Sequence, residues 1–228
     1  MDLEILKDCS LFYHMGEDLI EKALVCLGAF CRTIPKQGYL LDVGDVIREV
    51  GVIISGSANI VTETAGGGRT IIDKLLPGDV YGEAIVCSGI SKSTNRIVAA
   101  EDCRVVKIGM ENIIHANLTK CAIRSRIVEN LLRLSAGRCV ALNRKMDILS
   151  HKSVRERVLY YLSDEMERCN RCEFSIRFSR NELAEYLQLD RSALSRELGR
   201  IRNDGIIDFD KARFRILEPE ALRQMKIM

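Results

Sequence analysis

The feature that most constrains the fold is a pair of short helical segments near the C-terminal end, separated by only a few residues. Ser179 and Glu182 have the spacing of a capping box, which predicts that a first helix starts at Arg180. Asp190 is placed to cap a second helix that runs to about Asn203. Two short helices joined by a tight turn form a helix-turn-helix.

The second of these helices has one apolar face, whereas arginines and serines occupy the rest of its surface. Arginine can donate two hydrogen bonds to guanine, and serine can bond a base edge or a phosphate. The pattern therefore favours a helix that enters the major groove of double-stranded DNA. The candidate DNA-binding residues in this region are Arg180, Arg191, Ser192, Ser195, Arg196, Arg200, Lys211 and Arg213.

A two-stranded hairpin is predicted directly after the second helix. Gly205 can end that helix because glycine accepts a left-handed backbone. Residues 206–209 alternate as a strand, and residues 214–217 return after a turn at 210–212. A helix-turn-helix followed by such a hairpin is a winged helix. Because several local signals agree on one module, an ordinary helix pair with solvated arginines is the less favoured interpretation.

Composition places the chain among globular proteins of two-domain size, with 228 residues of which 47% are hydrophobic and 29% charged. The formal net charge is only +2, but lysine and arginine crowd residues 124–223, so the C-terminal part is expected to meet phosphates. No apolar run approaches the roughly 18 residues of a membrane span, and no signal peptide opens the chain. We therefore expect a cytoplasmic protein without a membrane partner. Nine dispersed cysteines favour reduced thiols.

Short β-type runs separated by glycines occupy the region from Arg32 to about Gly109, after a helical start to the chain. Strands this short and this closely spaced predict a small β-barrel or roll. From about Met110 to Met146 the pattern is helical, and small or apolar residues recur every seven positions. A seam of this length needs a partner to bury it, which favours a dimerising coiled coil over one helix lying on its own roll. The predicted dimer seam includes Leu118, Cys121, Ser125, Val128, Leu132 and Ser135.

A second capping box, formed by Ser153 and Glu156, predicts a new helix after the seam. The predicted fold class is therefore α+β. Residues 1–109 form a β-roll with N-terminal helices, residues 110–147 a dimerisation helix, and residues 148–228 a winged helix-turn-helix.

This order of elements resembles the CRP/FNR superfamily of bacterial transcription regulators. Glycines in four short motifs resemble the framework of the family's cyclic-nucleotide-binding jelly roll, and residues 179–207 resemble its helix-turn-helix nearly position for position. The resemblance implies a homodimer that reads a palindromic operator, an effector bound in the roll, and RNA polymerase as a partner. It assigns base reading to Arg191, Ser192, Ser195 and Arg196, with Ser192 where the family often has Glu. The four motifs are Gly44-Asp45, Ile54-Ser55-Gly56, Leu76-Pro77-Gly78-Asp79 and Gly82-Glu83.

The residues predicted to bind the effector differ from the family pattern. Members that bind cyclic AMP use a Glu on the ribose hydroxyl, which Glu83 resembles, and an Arg-Ser/Thr pair on the cyclic phosphate. Counted from Glu83, that pair falls at Ser93-Thr94, so its arginine is missing. Arg96 lies at an odd offset along a predicted strand, which points it to the opposite face unless a bulge intervenes. The candidate effector pocket is Gly82, Glu83, Ser93, Thr94 and Arg96, and cyclic AMP is a less favoured effector than another small molecule.

Haem, iron–sulfur and zinc centres are each less favoured than a small-molecule effector. Cys169 and Cys172 form a C-x-x-C pair that could bridge on oxidation or supply half of a zinc site, but no second pair completes the site. An iron–sulfur member would need a tight N-terminal cysteine cluster, and a haem needs axial ligands. The other candidates are not spaced as a ligand set; they are Cys9, Cys26, Cys31, His14, His115 and His151.

Two functions of other classes compete with DNA reading. A β-roll protein that regulates a partner enzyme would use the glycine framework, but it leaves Arg191, Ser195 and Arg196 without a role. An enzyme would need paired carboxylates, a nucleophile with its base, or a metal cluster, and the sequence pattern indicates none of these. The chain is therefore predicted not to be an enzyme.

Overall fold

The computed structural model describes residues 3–63, 69–90, 92–109, 122–220 and 222. Over these residues the chain is α+β, with N-terminal helices, a β-roll, a long helix and a winged helix-turn-helix, as the sequence predicts. None of the helices in the described part of the chain is long and apolar enough to cross a bilayer.

Helices occupy both ends of the chain and link its two halves. In chain order they are α1 (Leu3–Asp8), α2 (Glu17–Cys26), α3 (Glu83–Ser88), α4 (Ala122–Ser150), α5 (Val154–Cys169), α6 (Arg180–Tyr186) and α7 (Arg191–Asn203). We call α4 the long helix and α7 the recognition helix.

The strands form two sheets in the roll and a small third sheet near the C-terminus. The strands are β1 (Phe30–Ile34), β2 (Tyr39–Leu41), β3 (Glu49–Ser55), β4 (Ala58–Glu63), β5 (Arg69–Leu75), β6 (Val80–Tyr81), β7 (Arg96–Ala99), β8 (Cys103–Gly109), β9 (Glu173–Ser175), β10 (Ile207–Asp210) and β11 (Arg213–Ile216). The strand orders are β1-β8-β3-β6, β2-β7-β4-β5 and β10-β11-β9.

Strands β3 and β8 explain why the roll sequence contains continuous apolar runs. They pair antiparallel, with Val52 opposite Val106 and Ile53 opposite Val105. Val52 and Val106 belong to a core shared with the N-terminal helices, whereas Ile53 and Val105 belong to the interior of the roll. Because both faces of these strands are buried, an alternating pattern is absent from them.

The chain divides into two compact units, and the division passes through the long helix between Cys139 and Val140. The sequence instead placed the whole dimerisation helix, residues 110–147, in a segment of its own. The first unit comprises Met1–Thr62 and Ile72–Cys139, and the second comprises Glu63–Ile71 and Val140–Met228.

The first half of the long helix packs on the N-terminal helices. Ile127 and Leu131 are buried in the same core as the side chains of α1 and α2. Asn130 is also buried, and its side-chain amide donates to the carbonyls of Leu11 at 2.9 Å and Tyr13 at 3.0 Å. One face of the helix is therefore fixed to the N-terminal part of the chain.

The opposite face of the long helix carries exposed apolar side chains at heptad spacing. Leu132 is 71% exposed and Met146 is 69% exposed, and Ser125 and Ser135 lie along the same stripe. Leu118 and Cys121 of the predicted seam lie outside the described residues. The other exposed members of the stripe are Val128, Cys139 and Leu142.

Local capping chemistry sets the start of α5. The Ser153 hydroxyl accepts from the Glu156 amide at 3.1 Å, and the Glu156 carboxylate accepts from the Ser153 amide at 3.2 Å. This capping box is confirmed. The long helix, however, includes Asp147 to Ser150 and so extends beyond the predicted end at 147.

Candidate nucleic-acid interface and effector pocket

The helix-turn-helix is built by the short-range signals seen in the sequence. The Ser179–Glu182 capping box opens α6, and a tight turn in which Gln188 has φ 54° leads to the recognition helix. Asp190 precedes that helix as predicted, but its side chain makes no capping hydrogen bond. The helices pack through buried apolar residues, which are Leu183, Ala184, Leu187, Leu194, Leu198 and Ile201.

The recognition helix presents Arg191, Ser192, Ser195 and Arg196 on one exposed face. Positions i, i+1, i+4 and i+5 lie side by side on a helix. The guanidinium groups of Arg191 and Arg196 form no ion pair with any residue that the structure describes. We call these four residues the reading face. It holds two arginines whose hydrogen-bond donors are available to a ligand.

The arginines beyond the reading face are engaged within the domain. Arg200 lies 3.3 Å from the largely buried carboxylate of Glu197, which also takes Arg155 at 3.3 Å. Arg202 pairs with Asp208 at 2.7 Å. Among the predicted DNA-binding residues of the recognition helix, Arg200 therefore differs from Arg191 and Arg196 in having an ion-pair partner.

Arg180 supports the wing rather than projecting into solvent. Its guanidinium lies 4.9 Å from the ring centroid of Phe209 and 5.6 Å from that of Phe214, and it donates to the Lys211 carbonyl at 3.1 Å. Burial lowers the pKa of Arg180. Arg180 therefore fixes the β10–β11 hairpin against the start of α6.

The hairpin itself presents two of the predicted DNA-binding residues. Lys211 is exposed at the turn, where its backbone is left-handed with φ 50°. Arg213 is also exposed, but its guanidinium lies 3.0 Å from the Glu173 carboxylate. Of the two, Lys211 has the freer side chain for a phosphate.

Glu83 opens helix α3 inside the roll. Gly82 before it has φ 84°, and a Cβ atom there would lie 3.0 Å from the Glu49 carbonyl oxygen, so glycine is required. The Glu83 carboxylate is buried. Its Oε1 atom lies 2.6 Å from Nε of Arg138, a residue of the long helix.

Arg138 satisfies the charge that Glu83 brings into the roll. The same guanidinium also donates to the Val80 carbonyl and lies 3.7 Å from the Asp73 carboxylate. Burial raises the pKa of Glu83, and the neighbouring Arg138 lowers it by a smaller amount. Arg138 was not predicted from the sequence, although it stands as a cation at helical spacing from the inward-facing apolar residues Leu131 and Leu134.

The remaining residues of the predicted pocket have different environments. Ser93 is buried, and its hydroxyl donates to the Asn95 carbonyl at 2.6 Å, whereas Thr94 is exposed. Neither position supplies a cation. The roll therefore holds the predicted carboxylate, but its Ser93 hydroxyl is bonded within its own turn.

Arg96 lies on the outer side of β7. The side chains of Ile97 and Ala99 on that strand are buried in the core of the roll, and Arg96 alternates with them. Its Nε atom lies 2.6 Å from the Asp42 carboxylate, and its guanidinium lies 5.0 Å from the Tyr39 ring centroid. The ion pair with Arg96 lowers the pKa of Asp42. Arg96 and Glu83 thus have separate charge partners.

The cysteines and histidines do not gather into a metal site within the described part of the chain, where no three His, Cys, Asp or Glu side chains form a ligand group. Cys169 and Cys172 are free thiols beside the start of β9. Cys9 is buried, and burial raises its pKa to about 11. His115 lies outside the described residues.

Comparisons with known proteins match both parts of the chain. The family model "Cyclic nucleotide-binding domain" matches residues 31–116, and "Crp-like helix-turn-helix domain" matches residues 156–225. The chain is 24% identical over 221 residues to the Cyclic AMP receptor protein of Thermus thermophilus, covering 96% of this chain and 98% of the relative.

Solved structures share the fold. FixK2 from Bradyrhizobium japonicum superposes with a TM-score of 0.68 at 22% identity, over 86% of this chain and 96% of that one. The c-di-GMP responsive regulator CLP of Xanthomonas campestris also gives 0.68, at 20% identity, over 88% of this chain and 99% of that one. With a cyclic-nucleotide-binding-like roll, a long helix and a Crp-like helix-turn-helix in this order, the chain belongs to the CRP/FNR family of DNA-binding transcription regulators.

Proposed function

We propose that the chain acts as a homodimer that binds a palindromic operator and changes its DNA affinity when a small molecule binds in the roll. The observation that carries the proposal is the reading face, where Arg191 and Arg196 are exposed without an ion-pair partner in the described residues. Unpaired arginines on a recognition helix suit guanine edges. As a bacterial regulator, the protein would work in the cytoplasm beside RNA polymerase.

The exposed stripe of the long helix supports the homodimer. Leu132 and Met146 each expose more than two thirds of their surface, although the opposite face of the helix is buried. Two parallel copies would bury the stripe as a coiled-coil seam. A two-fold dimer carries two reading faces, and these match two half-sites about one helical turn apart.

The environment of Glu83 argues against cyclic AMP as the effector. The family's ribose-binding carboxylate is present, but Arg138 already occupies Oε1, and Ser93 stands where the phosphate-binding arginine is expected. A charge-assisted hydrogen bond to an anion is about twice as strong as a neutral one, so its loss weakens the nucleotide. Two of the similar proteins named above differ in effector, since one is a cyclic AMP receptor and the other is responsive to c-di-GMP.

A selection from randomised duplexes tests the DNA-binding function. Purified chain is incubated with the pool at near-physiological salt, and bound duplexes are sequenced. We expect an inverted repeat whose half-site centres are about 10 base pairs apart. The matched control is the double variant Arg191→Ala/Arg196→Ala, which should enrich nothing. Enrichment of no sequence by the wild-type chain, or of the same sequence by the control, contradicts the proposal.

Calorimetric titration with cyclic AMP tests the effector assignment. We expect no heat of binding at micromolar nucleotide, since the phosphate lacks its arginine. Micromolar affinity that disappears in Glu83→Gln would show that the roll binds the nucleotide through the family contact, and our assignment would be wrong. Sedimentation velocity of the same sample measures its mass and so tests whether the chain is a dimer.

A further inference from the structure

Lys145 is a buried cation near the end of the long helix. Only 8% of its surface is exposed. A buried ammonium is costly unless its donors are satisfied and its charge is balanced. The interactions that stabilise Lys145 therefore indicate which parts of the chain this side chain holds together.

Two contacts of Lys145 lie within the second compact unit. Its ammonium donates to the backbone carbonyl of Ile71 on β5 at 2.5 Å. The same ammonium stands 3.9 Å from the ring centroid of Tyr186, well inside the range of a cation–π interaction. One side chain of the long helix thus contacts both a strand and the first helix of the helix-turn-helix.

The Tyr186 ring is itself part of the core of the DNA-binding domain. Its centroid lies 4.6 Å from that of Phe178 and 5.8 Å from that of Tyr161. Aromatic rings at these distances attract each other and have few alternative positions. Tyr186 is therefore packed into the core of the domain, and its contact with Lys145 is a contact with that core.

Strand β5 and the long helix also contact each other through a second pair of residues, Asp73 and Arg138. Two residues after Ile71, Asp73 lies 3.7 Å from Arg138, the residue that holds Glu83. Arg138 is two helical turns before Lys145 on the same continuous helix.

We propose that Lys145 is a positioning residue for DNA reading, which fixes the helix-turn-helix to the end of the long helix and to β5 through Tyr186 and Ile71. The proposal rests on the DNA-binding function proposed above. The contact leaves Arg191 and Arg196 exposed, so it positions the reading face without covering it. A domain held in this way discriminates between operators of different half-site spacing.

The test uses the full chain and three variants. Lys145→Met keeps the length of the side chain but removes the charge and donor, and Tyr186→Leu removes the ring. Tyr186→Phe is the matched control because it keeps the ring that the ammonium contacts. Each is titrated with the selected duplex and with duplexes whose half-site spacing is lengthened or shortened by one base pair.

We expect Lys145→Met and Tyr186→Leu each to weaken binding to the selected duplex by about tenfold. Both should also lose most of the discrimination between spacings, which a merely stabilising residue would not affect. Tyr186→Phe should behave as wild type. Because the two side chains share the cation–π contact, the double variant Lys145→Met/Tyr186→Leu should lose less affinity than the sum of the two single losses. Retained spacing discrimination in Lys145→Met, or additive losses in the double variant, overturns the proposal.

Amide hydrogen exchange without DNA separates this proposal from the DNA-binding function. In Lys145→Met, amides of α6 and β5 should exchange faster, whereas those of β3 should not change. If the wild-type chain selects no duplex, the proposed DNA-binding function is wrong. The exchange rates of the α6 and β5 amides then still test whether Lys145 fixes these two elements. Unchanged exchange in α6 and β5 overturns the positioning role whatever the DNA result.

Discussion

The reading face and the Glu83 pocket use arginine in opposite ways. On the recognition helix, Arg191 and Arg196 are exposed and have no ion-pair partner among the residues that the structure describes. In the roll, Arg138 is bound to Glu83 at 2.6 Å. An unpaired surface arginine can transfer its donors to a ligand at little cost, whereas an arginine paired with a buried carboxylate must first break that contact. The reading face therefore has hydrogen-bond donors available for a ligand, whereas the charges in the pocket are paired within the protein.

The largest effect should come from breaking the pocket pair. Arg138→Ala leaves the Glu83 carboxylate buried without its cation, and we expect a loss of about 2–4 kcal/mol in the free energy of unfolding near neutral pH. The matched control is Arg133→Ala on the same helix, since Arg133 is exposed and its pair with Glu129 is at the surface. Urea titration measures both. A loss below about 1 kcal/mol for Arg138→Ala would remove the distinction between pocket and surface.

The next effect concerns the reading face. Arg196→Ala removes a candidate guanine contact, and affinity for the selected duplex should fall by about 1–3 kcal/mol while the dimer stays intact. Arg200→Ala is the comparison, because Arg200 is already paired with Glu197. Titrations at two salt concentrations distinguish a base contact from a phosphate contact. Equal losses in the two variants would contradict the assignment.

A smaller effect is expected at the base of the wing. Arg180→Met keeps a long side chain but removes the cation that lies over Phe209 and Phe214. We expect about 1 kcal/mol of destabilisation and a weaker effect on DNA affinity than that of Arg196→Ala. If Arg180→Met instead lowers DNA affinity as much as Arg196→Ala, with unchanged stability, then Arg180 belongs with the reading face.

The smallest effect is the pH dependence of the pocket. Burial raises the pKa of Glu83 above its ordinary value of 4.5. Between 4.5 and the raised pKa the folded chain holds a proton that the unfolded chain has lost, so stability falls as the pH rises through this range. Glu83→Gln should lack this decrease. A wild-type stability that rises relative to Glu83→Gln over the same range would show that Arg138 outweighs burial.

Much of the fold could be predicted because its signals are local. The capping boxes at Ser153 and Ser179 act over three residues, and Gly205 ends the recognition helix with φ 76° as its residue type indicates. The exposed arginines at 191 and 196 also followed from helical periodicity. Such features depend on neighbours in the chain, which the sequence shows directly.

The charge partners could not be predicted in the same way. Arg138 donates to Val80, 58 positions away in the chain, and nothing in the local pattern indicates that separation. Arg180 was expected at the DNA and instead stacks on the wing, because the aromatic rings of β10 and β11 lie beside it in the folded domain. The Glu197 partner of Arg200, in contrast, is only three residues away on the same helix, so that pair is within the range of a local sequence pattern.

The most direct test is the ratio of affinities for the selected palindrome and for a scrambled duplex of the same composition. It is measured at near-physiological salt for the wild-type chain and for Arg191→Ala/Arg196→Ala. The account predicts a wild-type ratio of about a thousand or more, which falls close to one in the variant while binding to the scrambled duplex changes little. A variant that keeps the wild-type ratio would show that the sequence is read elsewhere and would contradict the account.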